Sequence, residues 1–159
     1  MSMVEPQIET PEAVKAEWLD RLGALVSLVK GWVEASRWQT EQITKTVTEP
    51  GLGRYEVPIL LMERGEVEVV LSPIARTAPG ADGVVDLYLM PAYDDVASLD
   101  DEGGEWFIHD PFPPDPTQPC SLIEARRLRL DEETVNLVLN AIADRASQPR
   151  GVRAAEGQD

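Results

Sequence analysis

The 159-residue chain has one cysteine, Cys120, and one histidine, His109. A single cysteine cannot form a disulfide within the chain, and these two residues are too few for a cluster of thiolate and imidazole metal ligands. Folds that depend on disulfide staples or on a structural zinc ion are therefore excluded. We expect a cytoplasmic protein of a reducing compartment.

Long hydrophobic runs are also lacking. No basic residue precedes Lys15, and the longest apolar stretches have the length of a strand, far below the ~20 residues that span a bilayer. The sequence therefore predicts neither a signal peptide nor a membrane anchor. At this length one domain can bury a core of its own.

Basic residues are scarce, with 14 Lys and Arg against 29 Asp and Glu, for a formal net charge of −15. A charge of this sign opposes binding to phosphate backbones and to anionic lipid headgroups. We expect no direct binding of nucleic acid and no membrane binding. A protein partner, if there is one, is expected to be basic.

The acids are concentrated in one segment that contains no Lys or Arg, from Asp94 to Asp115. Its eight acids are Asp94, Asp95, Asp100, Asp101, Glu102, Glu105, Asp110 and Asp115. The simplest interpretation is a solvated acidic loop. A docking surface for a basic partner and a loose Ca²⁺ site are the alternatives.

Two helices are indicated by capping residues and by apolar periodicity. Thr10-Pro11 is typical of a helix start, and the spacing of apolar residues predicts a helix over 11–36. A second helix is predicted over 131–146. We expect the first helix to pack on a sheet of the same chain, with a dimer contact through Trp18 and Trp32 as the alternative. Gly23 and Gly31 weaken the helix relative to alanine, and we expect them to allow close backbone approach in its packing.

Five strands are predicted from alternating and β-branched patterns. They cover 38–48, Tyr55–Met62, Glu66–Leu71, Val84–Met90 and Trp106–His109. Every connection is too short for a parallel crossover, so the strands should form an antiparallel meander. Pro58 indicates an edge position or a bulge. The fold class is α+β, a long N-terminal helix packed on a roughly five-stranded antiparallel sheet, with a C-terminal helix.

The domain is predicted to cover residues 11–146. Residues 1–10 and the tail 147–159 offer little apolar surface and are expected to be disordered. The proline-rich stretch 110–119 should be extended, and Ser121–Glu124 has the spacing of a capping box that opens one helical turn.

Candidates for catalysis are few. His109 beside Asp110 is one ingredient of a general base, and Cys120 has Arg126 and Arg127 a few residues on, which lower a thiol pKa if they fold over it. A structural histidine and an incidental cysteine are the simpler interpretations. Phosphate loops, zinc spacings, nucleophile elbows and dinucleotide fingerprints are absent. No cofactor and no bound metal are expected, and the protein is more simply interpreted as non-catalytic.

Asp86 is the strongest catalytic candidate because it lies inside the most apolar strand, where an unpaired charge is costly to bury. Pairing with Arg76 or Arg54 is the favoured interpretation. A helix followed by an antiparallel sheet with a carboxylate on a central strand resembles, in topology, the core of metal-dependent nucleases of the restriction-endonuclease type. The next strand, 105–108, has no acid-x-lysine pair.

The leading functional hypothesis is a non-catalytic accessory or adaptor protein that binds another protein through its sheet or its acidic loops. Its size, acidity and helix-plus-sheet layout are similar to those of bacterial secretion chaperones and immunity proteins. The candidate binding residues are Arg76, Tyr93, Asp94, Asp95, Asp100, Asp101 and Glu102.

The loops 72–76 and 91–95, if adjacent, would form the rim of a cleft. A homodimer, if formed, would use the Trp18 and Trp32 faces of the first helix. The alternative function is a divergent metal-dependent hydrolase that uses Asp86 with acids such as Glu56 or Glu68.

Overall fold

A computed structural model describes residues 10–76, 83–90, 94–112 and 125–146. Helix α1 (Pro11–Glu34) opens this part of the chain and helix α2 (Glu132–Ala146) closes it. Between them lie the strands β1 (Gln39–Glu49), β2 (Gly53–Arg64), β3 (Val67–Ala75), β4 (Gly83–Leu89), β5 (Asp94–Glu102), β6 (Glu105–Asp110) and β7 (Arg126–Arg129). The predictions for the two termini, Tyr93, Cys120 and the turn at Ser121–Glu124 lie outside the described residues.

Both helices begin where their caps predict. The Thr10 hydroxyl accepts a hydrogen bond from the Ala13 amide at 3.1 Å, and proline follows as the first helical residue. At α2, the Thr134 amide donates to the Asp131 carboxylate at 2.9 Å. The apolar stripe of α1 is buried in the core, Trp18 included. The stripe therefore packs within the chain, as the sequence indicated first.

The seven strands form one antiparallel sheet in the order β1 to β7, so the meander is confirmed and the count of five is wrong. The two strands that were not predicted are β5 and β7. β5 occupies the first part of the supposed acidic loop, and β7 is a four-residue strand with three arginines. Acidic residues disfavour strands in isolation, but pairing with β4 and β6 overrides that preference.

Pro58 lies in β2, between two other strands, yet no strand requires a backbone hydrogen bond from it on the β3 side. β2 pairs with β1 along its whole length, whereas it pairs with β3 only from Leu60 to Arg64. Pro58 is therefore at a local edge of the sheet, which agrees with the sequence prediction.

The two faces of the sheet differ in burial. Along β4, Val85, Leu87 and Leu89 are buried and the residues between them are half-buried. The helices cover the face that includes Val85, Leu87 and Leu89. On this face Trp18 of α1 stacks on Trp106 of β6, with 6.3 Å between ring centroids. We call the other side of strands β3 to β7 the open face. Its described residues are Val70, Ser72, Val84, Asp86, Tyr88, Ser98, Asp100, Glu102, Glu105, Phe107, His109, Arg127 and Arg129.

A glycine is required where the Trp18 ring of α1 packs on the sheet. A Cβ built on Gly83, the first residue of β4, would lie 2.5 Å from the Trp18 ring. At Gly23 and Gly31 a Cβ would meet nothing within 4 Å. The close approach predicted at the helix glycines is therefore wrong, and it occurs at Gly83 instead.

Gly83→Ala should lower the free energy of unfolding by about 1–3 kcal/mol, because the new methyl group would displace the Trp18 ring. The matched control is Gly23→Ala, which should raise it by roughly 0.5–1 kcal/mol through the better helix propensity of alanine. Urea denaturation of the two variants checks both values. Equal effects of the two substitutions would contradict this packing.

Candidate functional site: the open face of the sheet

A row of polar residues crosses the open face. Successive partners across strands β3 to β7 are Ser72, Asp86, Ser98, His109 and Arg127. Residues directly opposite each other in an antiparallel pair share a face and lie about 5 Å apart. The register of the sheet therefore places two residues that the sequence singled out, Asp86 and His109, in the same row with Ser98 between them.

Asp86 is held by hydroxyl groups. Its two carboxylate oxygens accept hydrogen bonds from Ser98 on β5 and from Tyr88 on its own strand, each at 3.0 Å. The sequence indicated Arg76 or Arg54 as partner, and the structure shows these hydroxyls instead. A half-buried carboxylate is thereby satisfied on both oxygens.

Lys45 brings a positive charge from β1 to this row. Its ammonium group donates to the Ser72 hydroxyl at 2.7 Å and, more weakly, to the Pro73 carbonyl at 3.5 Å. Burial lowers the pKa of Lys45, and the negative charge of Asp86 works against that shift. A lysine beside a serine is a pairing that some hydrolases use. Here the neighbouring carboxylate favours the charged ammonium, which donates hydrogen bonds and joins β1 to β3.

A second polar network surrounds Asp100, which is 8% exposed. Its carboxylate contacts His109 Nε2 at 2.5 Å and Arg127 at 3.0 Å. Arg127 also pairs with Glu102 at 2.6 Å, and its guanidinium lies 3.7 Å from the centroid of the Phe107 ring. His109 therefore bonds to Asp100 across the β5–β6 pair rather than acting with its sequence neighbour Asp110.

Arginines of β7 neutralise much of the acidic segment. Besides Arg127, Arg126 contacts Asp110 at 2.5 Å and Arg129 contacts Glu105 at 3.0 Å. The interpretation of residues 94–102 as a solvated loop is wrong, because they form a strand inside the sheet. The signal that could have found this pairing is the basic cluster 126–129, which follows the segment that lacks bases.

Asp101 lies on the helix-covered face and is fully buried. It forms an ion pair with Arg21 of α1, and its other oxygen accepts a hydrogen bond from the Gly104 amide at 3.0 Å. The side chain joins α1 to the turn between β5 and β6. Asp101 thus offers no surface to a partner, and we leave it out of the proposed interface.

The remaining predicted binding residues are far apart. Ala75, beside Arg76, pairs with Val84 at the start of β4, whereas Asp94 pairs with Leu89 at its end. Of the two segments predicted to form a cleft rim, residues 72–76 and the described residues 94–95 therefore lie at opposite ends of β4 and do not share a rim.

The backbone amide of Arg76 donates to Glu49 at 2.8 Å. Glu49 also accepts a hydrogen bond from the Tyr55 hydroxyl at 2.6 Å. Burial, together with that hydrogen bond, raises the pKa of Tyr55 well above its ordinary value. This network therefore ties the end of β1 to β2 and to the residue that follows β3.

The acids suggested as companions of Asp86 are not beside it in register. Glu68 precedes Ser72 by four residues on β3, about 13 Å along the strand, and Glu56 lies opposite Thr46 in the β1–β2 hairpin. Within the described ranges, no three His, Cys, Asp or Glu side chains form a group that could hold a metal ion. The hydrolase alternative stays a prediction.

Sequence reasoning missed most partners in both networks, among them Lys45, Ser72 and Ser98. The alternation of Ala97 and Leu99 with the polar residues Ser98 and Asp100 is the signal that could have found β5 and placed Ser98 on the open face. Contacts from β1 to β3 carry no comparable signal, because they depend on how the sheet twists.

Comparison of the chain with protein families, with curated proteins and with solved structures gave no match. Neither of the two helices in the described part of the chain is long and apolar enough to cross a membrane.

Asp101→Ala should lower the free energy of unfolding by about 1–3 kcal/mol, because it removes the buried carboxylate that pairs with Arg21 and accepts the Gly104 amide hydrogen bond. The control is Asp20→Ala, a neighbouring exposed acid of α1, which should change stability by less than about 0.5 kcal/mol. Chemical denaturation monitored by tryptophan fluorescence measures both. Similar values for the two variants would show that the buried pair does not join the layers.

Proposed function

We propose that the protein is a non-catalytic accessory protein that binds a basic protein partner across the open face of its sheet. The observation that carries this proposal is the one-sided covering of the sheet. Both helices pack on one face, since Trp18 of α1 stacks on Trp106 and α2 contacts α1, β3 and β6. The other face of β3 to β7 has no helix layer among the described residues, and its side chains range from buried, as at Asp100, to half-buried, as at Tyr88 and Phe107.

The residue types on the open face suit a protein interface. Tyr88, Phe107 and Arg127 belong to the classes that are enriched at interface centres and in hot spots. The Arg127 guanidinium lies against the Phe107 ring and is held by Asp100. Because these contacts already order the side chain, binding would cost little further conformational entropy.

Valines extend this surface beside the polar row. Val70 lies opposite Tyr88, and Val84 lies opposite Asp100. Each is half-buried in the free protein. A partner that covered them would gain apolar burial next to satisfied polar groups, the arrangement found in many protein interfaces.

Acidic side chains continue beyond the open face. A shallow depression of about 190 Å³ lies beside it. Its lining residues are Gln39, Thr40, Glu41, Leu61, Glu63 and Glu68. Three of these six are acids.

The negative net charge of the protein favours a basic protein as the partner. A net charge of −15 produces a negative potential that extends beyond the contact surface and attracts basic proteins. Association should therefore weaken as ionic strength rises, because the potential falls off within about 10 Å at 0.1 M salt.

The test compares two variants that make similar changes on different faces. Val70→Arg puts a long cation on the open face opposite Tyr88, and Leu28→Arg puts the same cation on α1, at a leucine that is 51% exposed. Each protein is used to capture partners from its native host, and captured proteins are quantified by mass spectrometry. We expect a basic protein to be retained by wild type and by Leu28→Arg and to be lost from Val70→Arg.

Circular dichroism of both variants shows that the fold is retained. Capture of the same proteins by wild type and Val70→Arg would contradict the proposal. Loss of the partner from Leu28→Arg alone would indicate that the partner binds the helix side of the protein instead.

A further inference from the structure

The two edges of the described sheet are protected to different degrees. β7 has four residues, three of which are arginines, and a short charged strand is a common way to prevent edge-to-edge pairing. β1 has eleven residues, is exposed along most of its length and contains no proline. In the described part of the chain it pairs with β2 alone, so its outer backbone groups face away from the sheet.

The side chains of β1 suit pairing with another strand. The strand is rich in threonine and includes Ile43, which is 41% exposed. β-branched residues stabilise cross-strand contacts. An exposed edge of this length and composition is a template for strand addition.

The charges of β1 select one register for pairing with a second copy. In an antiparallel arrangement with Ile43 opposite Ile43, Glu41 of each strand lies opposite Lys45 of the other. This register overlaps the strands from Gln39 to Val47. If Lys45 were opposite Lys45, the strands would instead place like charges opposite each other, which is destabilising.

One other register also pairs opposite charges, with Val47 on the symmetry axis and Glu49 opposite Lys45. It overlaps only the stretch from Lys45 to Glu49, and Glu49 already holds Tyr55 and the Arg76 amide. Of the two registers that pair opposite charges, the one centred on Ile43 therefore has the longer overlap.

We infer that the free edge of β1 is a dimer interface, in which two copies of this chain pair antiparallel about Ile43 and extend the two sheets into one. The interface is isologous, since the same patch serves both copies. Lys45 keeps its hydrogen bond to Ser72, so its attraction to Glu41 of the second copy acts between charges on neighbouring strands and not through a shared hydrogen bond. This inference does not depend on the proposed partner-binding function.

Disulfide trapping tests the register. In a Cys120→Ser background, which removes the native cysteine, Ile43→Cys places two thiols directly opposite each other, at a Cα separation that a disulfide spans. Thr48→Cys is the control on the same edge, because the two thiols would be ten residues apart along the strands, about 33 Å. We expect mild oxidation to give a covalent dimer of Ile43→Cys and not of Thr48→Cys.

Sedimentation of the wild type and of charge variants tests the interface without cross-linking. Ile43→Lys places two cations on the symmetry axis and should weaken dimerisation at least tenfold. Leu137→Lys changes an α2 leucine of similar exposure, 45%, and should leave the dimer intact. Circular dichroism confirms that both variants are folded.

Three results would each overturn the inference. The first is a wild type that stays monomeric up to about 100 μM chain, in which case an extended segment of another protein would be the remaining occupant of the edge. The second is equal cross-linking of the two cysteine variants. The third is a dimer that Leu137→Lys dissociates and Ile43→Lys does not.

Discussion

Asp101 is the point at which the helix layer is joined to the sheet. Its carboxylate is fully buried, pairs with Arg21 of α1 and caps the β5–β6 turn at the Gly104 amide. A buried charge is tolerated only when it is paired and hydrogen-bonded, so this contact restricts where α1 can lie. With α1 held there, Trp18 packs over Gly83. The opposite face of the sheet is left for the polar row.

The helices and most of the sheet could be predicted because their signals are local. The capping residues Thr10 and Asp131 indicate where the helices begin, and strands β1 to β4 and β6 have alternating apolar and polar residues between turns. β5 was missed because its acids suggest a solvated loop, although Ala97 and Leu99 are buried in register with β4 and β6. Pairing with β4 and β6 stabilises β5 as a strand, and Arg127 of β7 adds ion pairs with its acids.

The candidate site was less accessible to sequence reasoning. Asp86 could be singled out, since an acid in an apolar strand requires an explanation. Its partner Ser98, and Lys45 farther along the network, lie on strands that are distant in the chain, and a shift of register by one residue would turn each side chain to the other face. Long-range register and twist therefore decide the composition of the open face.

The two proposals are compatible in geometry. In an antiparallel pair about Ile43 the symmetry axis is perpendicular to the sheet, so both copies would present their open faces on the same side. A dimer would then offer a partner a surface of twice the width. Two weak contacts with one partner reinforce each other through effective concentration.

The central claim is that the open face contacts the partner. Hydroxyl-radical footprinting of the protein with and without its captured partner tests it directly, because the aromatic residues Tyr88 and Phe107 lie on the open face and Trp32 lies on α1. The account predicts that partner binding slows oxidation of Tyr88 and Phe107 and leaves that of Trp32 unchanged. Protection of Trp32 with unchanged oxidation of Tyr88 and Phe107 would contradict it.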